Sequence, residues 1–442
     1  GTAWDSIVYD TVNDQVLIGV GNGSPWNADI RDPDSDGDNL FLSSILAVDA
    51  DTGAYRWHYQ TTPRDRWDYT ATQQITLADL PLGEDGANRR VVMQAPKNGF
   101  FYVLDAADGE LISATPFTAQ NWTTGQFDEN GRPELVEEAV DLALYAVVPG
   151  PTGAHNWHPM AFNPDTGLVY IPVNEIPFFY DKTRNVEDSK SFWNIGYDAA
   201  AGWPVEYPAG TLDAVRDLDG GSLLAWDPVK AEPRWAVPFP LPLNGGVLST
   251  QAGLVFQGNK FGEFVAYDAE TGERLWADKL VGNAAAAPMT YEIDGEQYLS
   301  VLSGWGSVSS LIAGFTYGEA KSKEPARVIT FKLGGDGDMP AALVDNVVRT
   351  PQSPMFGEPD QHQLGMQRYA ESCHFCHGAF AVGGGVVPDL RWSALAGNEQ
   401  AWDLVVREGA LEKQGMVSFA GRLSKEDTDA IRAYVVQQAW LA

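Results

Sequence analysis

Hydrophobic and polar residues alternate in short runs through the first three quarters of the chain, a pattern that predicts short β-strands joined by tight turns. One motif recurs: an apolar pair, Asp or Asn, a few further residues, Gly, and then an aromatic or aliphatic residue. Asp and Asn side chains bond to the backbone of a turn, and Gly accepts the positive φ that a tight hairpin requires. Each copy therefore predicts a β-hairpin. Copies lie at 47–57, 103–111, 161–170, 225–235, where the motif is degenerate, and 266–276.

The spacing of these copies predicts radial repetition. They are separated by roughly 40 to 60 residues, the length of one four-stranded propeller blade. We expect one blade per copy, with about five or six blades before residue 320; a β-sandwich with unrelated hairpins is the alternative. A propeller closes on itself to remove its sheet edges. Since the chain opens at Gly1 directly into a strand-like segment without an initiator Met, we expect an N-terminally incomplete chain.

The alternating pattern ends near residue 331. Residues 332–360 gather Gly, Pro and Asp and are predicted to form a linker. Beyond the linker the pattern is helical, and Ser424 and Asp427 form a capping-box pattern ahead of helix-spaced apolar residues. The sequence thus predicts a partial β-propeller at 1–331, the linker, and a small all-α domain at 361–442.

The composition agrees with this division and excludes some partners. Trp, Tyr and Phe make up 11% of the 442 residues, and Gly and Pro are frequent, which favours many short strands joined by turns. The formal net charge of −31 repels nucleic acid and anionic lipid surfaces. The apolar runs are too short to cross a bilayer, so we expect no transmembrane segment.

The all-α part contains the motif CHFCH at residues 373–377. In a C-x-x-C-H motif two thiols bond covalently to haem and the adjacent His binds the iron, so Cys373, Cys376 and His377 predict a c-type haem. A zinc half-site or a thioredoxin-like pair is the alternative; zinc needs further ligands, but no His or Cys follows the motif. Met416 is the only Met after the motif and is predicted to be the second iron ligand, with loop packing as the alternative. Because haem is attached covalently outside the cytoplasm, we expect a periplasmic protein.

Longer stretches add a resemblance to a known family. The segments GTAWDSIVYD, GVGNGSPWN, GDNLFLSSILAVDADTG, WHYQTTPRDRWDYTATQQ, APKNGFFYVLD, HNWHPMAFNPDTGLVYIP and GWGS, followed by CHFCH, closely resemble the pyrroloquinoline quinone (PQQ)-dependent alcohol dehydrogenases of the quinohaemoprotein type. The resemblance covers essentially the whole chain. It implies an eight-bladed all-β propeller, partial here, with PQQ and Ca²⁺ on its axis, followed by a cytochrome c domain.

The resemblance assigns the catalytic and metal positions. Asp68, in RWDYTA, matches the catalytic aspartate, which takes the alcohol proton and also binds the metal. Asn22, in GNGSPWN, matches a calcium-ligating asparagine, whose amide oxygen suits a hard cation. Thr70 stands where lanthanide-dependent relatives carry an additional aspartate, so Ca²⁺ is the expected metal. Taken alone, Asp68 reads as a turn-capping residue and Asn22 as part of a hairpin turn.

The remaining cofactor positions carry over in the same way. Trp4 matches the tryptophan beneath the quinone ring, and Thr2 matches a nearby PQQ-binding threonine. Lys97, in APKNGF, matches the cation that hydrogen-bonds the quinone oxygens. Asn156 and Trp157, in HNWHP, match a further PQQ-contacting pair. Without the resemblance, Trp4 reads as a buried blade tryptophan and Lys97 as a solvated hairpin-tip lysine.

The resemblance also implies an activity. The family oxidises primary or other small alcohols to aldehydes with PQQ and Ca²⁺, and its quinohaemoproteins pass electrons through haem c to an external acceptor, such as a small cytochrome, a copper protein or a quinone complex. A quinohaemoprotein of another substrate class (sugar, polyol or polymer alcohol) and a non-catalytic propeller scaffold are the alternatives. The family's calcium-binding glutamate, PQQ-binding arginine and adjacent-cysteine ring lie N-terminal to the matched region. We therefore expect these 442 residues alone neither to bind PQQ tightly nor to turn over.

Overall fold

The computed structural model describes most of the chain. The described residues are 1–143, 145–182, 195–197, 220–280, 282–304, 326–339, 349–383 and 387–442. Residues 305–307, from the segment GWGS, lie outside them, as do residues 340–348 of the predicted linker.

Most of the described strands form five consecutive antiparallel sheets of three or four strands, and within each of these the strands pair in chain order, which is the meander of a propeller blade. The first sheet contains β1 (Ile7–Asp10), β2 (Gln15–Gly19), β3 (Ser44–Asp49) and β4 (Tyr55–Gln60), and the second contains β5 (Thr76–Leu80), β6 (Arg89–Gln94), β7 (Phe100–Asp105) and β8 (Leu111–Pro116). Two short pairs follow, β9 (Thr123–Phe127) with β10 (Pro133–Leu135), and β11 (Tyr145–Val147) with β14 (Phe178–Tyr180).

The later sheets repeat this arrangement. The third contains β12 (Ala161–Asn163), β13 (Leu168–Glu175), β15 (Gly220–Asp227) and β16 (Glu232–Phe239), and the fourth contains β17 (Val247–Ser249), β18 (Leu254–Gly258), β19 (Glu263–Asp268) and β20 (Arg274–Lys279). The fifth has three described strands, β21 (Met289–Ile293), β22 (Glu296–Ser303) and β23 (Arg327–Lys332).

All five predicted hairpins are present. In every copy the turn Asp or Asn accepts hydrogen bonds from backbone N–H groups two or three residues later. The residue four positions after that Asp or Asn has a positive φ, and it is Gly in four of the copies. In the degenerate copy it is Ala231, with φ +54°. The local turn chemistry therefore forms the hairpin even where the Gly is missing.

The expectation of one blade per copy is wrong for two copies. Those at 161–170 and 225–235 lie in the same sheet, because the first forms β12 and β13 and the second forms β15 and β16. The same turn chemistry closes the first and the last hairpin of a four-stranded sheet. Each copy of the motif therefore marks one hairpin, and a single blade can contain two copies.

Ala231 offers a test of this turn chemistry. A residue with a Cβ costs about 1–2 kcal/mol in the left-handed region, whereas Gly loses about 0.4–1 kcal/mol more conformational freedom on folding. We expect Ala231→Gly to raise the free energy of unfolding by up to about 1 kcal/mol, observed as a higher thermal midpoint. Gly167 of the same sheet is the matched control, since its φ is +68° and a Cβ there meets only open space. Gly167→Ala should lower the midpoint, and a lower midpoint for Ala231→Gly contradicts this account.

The hydrophobic core is divided among the interfaces between successive sheets. Ile45 of the first sheet and Phe100 of the second lie in one buried cluster. Val103 of the second sheet and Leu224 of the third lie in another, and a further cluster joins the third and fourth sheets. Successive sheets thus pack face to face, as blades do around a propeller axis.

The C-terminal part is helical. The predicted capping box is confirmed, because Ser424 Oγ accepts the Asp427 N–H at 3.1 Å and the Asp427 carboxylate accepts the Ser424 N–H at 2.8 Å. The first and last helices cross closely at Gly365, where a Cβ would lie 2.0 Å from the Ala430 carbonyl oxygen. The helices are Pro359–Ser372, His374–His377, Glu399–Val406 and Lys425–Leu441, and 3₁₀ turns lie at Ala379–Ala381, Leu390–Trp392, Ala394–Gly397 and Glu412–Gln414.

The remaining elements lie in connections. Short helices at Ala28–Arg31 and Glu137–Asp141, and a 3₁₀ turn at Glu84–Gly86, join strands of the sheets. Between Lys332 and Pro359, the described residues contain neither helix nor strand. Among the helices in the described part of the chain, none combines the length and apolar character that a membrane crossing requires.

Candidate functional site

A partly buried carboxylate and a buried ammonium group meet beside the second sheet. Asp68 lies in the connection between β4 and β5 with φ +66°, and Lys97 lies in the turn between β6 and β7. The Lys97 Nζ is 2.9 Å from Asp68 Oδ2 and also donates to the Asp68 carbonyl oxygen at 3.1 Å. Lys97 is only 6% exposed, so its interpretation as a solvated hairpin-tip lysine is wrong.

Burial and polar neighbours shift the pKa of the Asp68 carboxyl in opposite directions. Burial raises the pKa of Asp68 because the ionised form loses solvation, whereas the Lys97 charge and the hydrogen bonds from Lys97 and Asn22 act to lower it. The structure thus brings together three of the residues singled out in the sequence. These residues place a carboxylate that can accept a proton, an amide and a cation next to one another.

Asn22 and Asp68 also fit a hard cation by their chemistry. An amide oxygen and a carboxylate are ligands that Ca²⁺ prefers, and the ionised carboxylate adds negative charge. Within the described ranges, no group of three or more His, Cys, Asp or Glu side chains is placed to hold a metal ion.

The backbone of Asp68 is held by a residue that the sequence analysis did not single out. Asp65 Oδ1 accepts the N–H of Trp67 at 3.1 Å and the N–H of Tyr69 at 3.0 Å, on either side of Asp68. Asp65 is fully buried, and burial raises its pKa to about 7. Trp67 and Tyr69 are also buried, and both rings pack on Trp122. This double acceptor holds the left-handed turn that places the Asp68 carboxylate beside Lys97.

Replacing Asp65 tests this positioning. Asp65→Ala leaves two buried N–H groups without their acceptor, at a cost of about 1–3 kcal/mol each. We expect a lower thermal midpoint and a loss of turnover in the native protein. Asp65→Asn keeps an acceptor oxygen in a side chain of the same shape. It should retain most of the thermal stability and most of the turnover. Equal impairment of the Asn and Ala variants, measured by thermal melting and alcohol turnover, would show that the double acceptor is not what matters.

A second residue missed in the sequence is Gly153. Its φ is +77°, and a Cβ there would lie 2.3 Å from Lys97 Cγ. The neighbouring Ala154 donates its N–H to the Lys97 carbonyl oxygen at 2.9 Å. Gly153 therefore leaves the space in which the Lys97 stem lies, and the segment PGPTG signals only a turn.

The N-terminal segment lies next to Asn22. The Thr2 carbonyl oxygen accepts the N–H of Gly21 at 3.0 Å. Trp4 is 48% exposed, so its interpretation as a buried blade tryptophan is wrong. Its indole presents an open flat surface, which is the shape that stacks with a planar aromatic ring.

The pair Asn156 and Trp157 lies on the segment that follows Gly153. Asn156 Nδ2 donates to the Thr152 carbonyl oxygen at 2.7 Å, and Asn156 Oδ1 accepts the N–H of Trp157 at 2.9 Å. The Trp157 ring is 36% exposed and stacks on His158 with centroids 4.0 Å apart. Hydrogen bonding thus fixes Asn156 next to a second partly open indole.

The helical part gathers the groups that a covalently bound haem requires. Cys373 is buried and is the N-cap of the short helix that ends at His377, whereas Cys376 is exposed and lies within that helix. The Nδ1–H of His377 donates to the Pro388 carbonyl oxygen at 3.0 Å, which leaves Nε2 as the nitrogen available to iron. Burial lowers the pKa of His377 and favours the neutral imidazole that binds metal. Met416 packs against the core that contains Cys373. These donors fit a haem attached through two thioethers.

The haem motif also contacts the propeller. Phe375, between the two cysteines, packs against the hydrophobic cluster of the first two sheets, which includes Trp67 and Tyr69. The CHFCH segment therefore lies against the same core that flanks Asp68.

Comparisons with known proteins agree with this architecture. Residues 1–129 and 114–299 match the family of glucose/ethanol/alcohol dehydrogenase β-propeller domains, and residues 360–435 match the family described as cytochrome c oxidase, cbb3-type, subunit III. Quinohemoprotein alcohol dehydrogenase ADH IIB of Pseudomonas putida is 45% identical over 444 residues, covering 100% of this chain and 62% of that protein. The structure of quinohemoprotein alcohol dehydrogenase ADHIIG from Pseudomonas putida HK5 has a TM-score of 0.89 and 43% identity, and that from Comamonas testosteroni has a TM-score of 0.84 and 38% identity. Each structural match covers 100% of this chain and 64% of the other.

The fold and the site define a class, an all-β propeller dehydrogenase domain followed by a small helical cytochrome c domain. The chain belongs to the PQQ-dependent alcohol dehydrogenase family of the quinohaemoprotein type, which confirms the resemblance and the predicted fold class. The chain spans 60–62% of the length of the first relatives it matches.

Proposed function

We propose that the protein oxidises primary or other small alcohols to aldehydes, using PQQ and Ca²⁺, and transfers the electrons through its own haem c to an external acceptor. The observation that carries this proposal is the Asp68 carboxylate, which is partly buried and held 2.9 Å from the Lys97 ammonium group in a chain that also contains CHFCH. A scaffold has no use for a partly buried, charge-balanced proton acceptor in the same chain as a haem-attachment motif.

The chain's own residues perform the proton transfer and the positioning. Asp68 accepts the hydroxyl proton of the alcohol, and Lys97 opposes the effect of burial by favouring the ionised carboxylate and would present positive charge to the cofactor oxygens. Asn22 and Asp68 provide oxygen ligands to Ca²⁺. When bound, PQQ supplies the two-electron oxidising chemistry and haem c accepts electrons one at a time.

The remaining site residues bind and orient. Trp4 would provide a flat surface for the quinone. Thr2, Asn156 and Trp157 lie on segments next to Asn22 and Lys97, and from there they would contact the cofactor. Cys373, Cys376, His377 and Met416 would hold the haem. Cysteine thioethers fix the porphyrin, and a His/Met ligand pair raises the potential of the iron so that it accepts electrons readily.

The partners follow from this chemistry. The substrate is a small alcohol, and the acceptor is a small cytochrome, a copper protein or a quinone complex. Since haem is joined to C-x-x-C-H motifs outside the cytoplasm, we place the protein in the periplasm.

The test uses the native holoprotein. Its PQQ, calcium and haem content are measured, and a series of alcohols, sugars and polyols is added while the haem absorbance is recorded. Small primary alcohols are expected to reduce the haem at the highest rates. Haem reduction by a sugar or polyol alone supports the alternative substrate class. Haem without quinone, or a haem that no alcohol reduces, overturns the proposed function.

A further inference from the structure

The turn that carries Lys97 has a second copy in the chain. Residues 94–111, QAPKNGFFYVLDAADGEL, align without a gap with residues 257–274, QGNKFGEFVAYDAETGER. In this alignment Lys97 corresponds to Lys260. Each lysine lies between the second and third strands of its sheet, and each is followed two residues later by a Gly with positive φ. Lys260 therefore occupies in the fourth sheet the position that Lys97 occupies in the second.

The contacts around the two copies match as well. Gln94 Nε2 donates to the Gln73 carbonyl oxygen at 2.7 Å, in the connection that enters the second sheet. Gln257 Nε2 donates to the Gly245 carbonyl oxygen, also at 2.7 Å, in the connection that enters the fourth sheet. The two turns therefore lie at the same end of their sheets, and their lysines occupy equivalent positions.

Lys260 is more deeply buried than Lys97. It is 2% exposed, and its backbone N–H donates to Asn244 Oδ1 at 3.2 Å. Lysine is one of the residue types that is least often fully buried, because its charge loses solvation. Lys97, which we assign to cofactor binding, is buried in the same way.

The surroundings of Lys260 connect it to the Asn156 and Trp157 segment. Burial lowers the pKa of His158 to about 3, and electrostatic interactions with His155 and Lys260 act in the same direction, which places Lys260 close to this imidazole. His158 is the residue on which the Trp157 ring stacks. Both His155 ring nitrogens bond to backbone carbonyl oxygens, so the segment is rigidly held.

We propose that Lys260 is a second anion-binding lysine of the quinone site, which binds a carboxylate of the cofactor from the side of Trp157. This inference rests on the proposed function. PQQ is a planar quinone that carries several carboxylate groups, and the chain has a net charge of −31, which repels such a ligand. A buried lysine supplies local positive charge in a low-dielectric region, where a charge-assisted hydrogen bond is strong.

The experiment measures binding and not turnover. The native holoprotein is stripped of metal and quinone with a chelator, and PQQ is titrated back with Ca²⁺ while tryptophan fluorescence is followed. Lys260→Met keeps the buried stem and removes the charge, and we expect it to weaken PQQ binding by about tenfold or more. Lys260→Arg keeps the charge and should recover part of the affinity. Lys279→Met, on an exposed strand of the same sheet, is the control and should bind as the unchanged protein does.

A methyl ester of PQQ, in which the carboxylates are neutral, separates charge recognition from structural damage. If Lys260 binds a carboxylate, the loss in Lys260→Met is large for the acid and nearly absent for the ester. Equal losses for both ligands, or unchanged affinity for the acid, overturn the inference and leave the proposed function standing. If Lys260→Met fails to fold, the acid and the ester are compared on the unchanged protein, where equal affinity also overturns it. Failure of the unchanged protein to bind PQQ at all contradicts the proposed function itself.

Discussion

Asp68→Asn is expected to lower the rate at which alcohol reduces the haem by about 10²–10⁴-fold, while the haem absorbance spectrum stays unchanged. The amide keeps the size of the carboxylate, but it cannot accept the hydroxyl proton at neutral pH. It also removes the charge that faces Lys97 Nζ at 2.9 Å. The measurement is stopped-flow haem reduction in the native protein, with PQQ and calcium content determined for each variant.

Asp29→Asn is the matched control for this substitution. Asp29 also pairs with a cation, Arg66, at 2.8 Å, but its side chain is 49% exposed. Its replacement should leave haem reduction unchanged, because a surface ion pair contributes little. Normal reduction in Asp68→Asn with both cofactors bound would refute the assignment of Asp68 as the base.

Met416→Leu is expected to lower the midpoint potential of the haem by on the order of 100 mV, because loss of the thioether removes the ligand that raises the potential. Leu preserves the apolar contact that Met416 makes with the core containing Cys373. Spectroelectrochemical titration measures the potential, and the far-red charge-transfer band of Met-ligated haem should disappear. Reduction of the haem by alcohol should slow in parallel.

Met366→Leu provides the comparison. Met366 packs against the same hydrophobic cluster as Met416, and it lies in the helix that precedes CHFCH. The potential should be unaffected, since only packing changes. If Met416→Leu keeps the potential and the charge-transfer band, Met416 is a loop-packing residue and another group completes the iron coordination.

The parts of this molecule that could be predicted from sequence depend on local chemistry. An Asp or Asn that accepts nearby backbone N–H groups, followed by a residue with positive φ, forms a hairpin wherever it occurs, and the structure shows this in all five copies. The capping box of Ser424 and Asp427 is local in the same sense. The assignment of hairpins to sheets is not local, since it depends on which strands meet after long connections, and the count of one blade per copy therefore failed.

The residues of the site also divide into those that the sequence indicates and those that depend on contacts between distant segments. Asp68, Asn22 and Lys97 were found because they lie in long stretches that resemble a family, and the structure brings them together. Asp65 and Gly153 have no such signal. Asp65 matters through two N–H groups beside Asp68, and Gly153 matters because the stem of Lys97 passes over it. Neither role is visible until distant segments are in contact.

Phe375 packs against the cluster that contains Trp67 and Tyr69. The proposed electron transfer within the protein and the proposed transfer to an external acceptor should therefore depend differently on salt and on protein concentration. Under the proposed function, transfer from PQQ to haem c would take place within one protein, so its rate would be independent of protein concentration and of ionic strength. Under the proposed function, transfer to an external acceptor would be a diffusional encounter with a chain of net charge −31, and that step alone should respond to added salt.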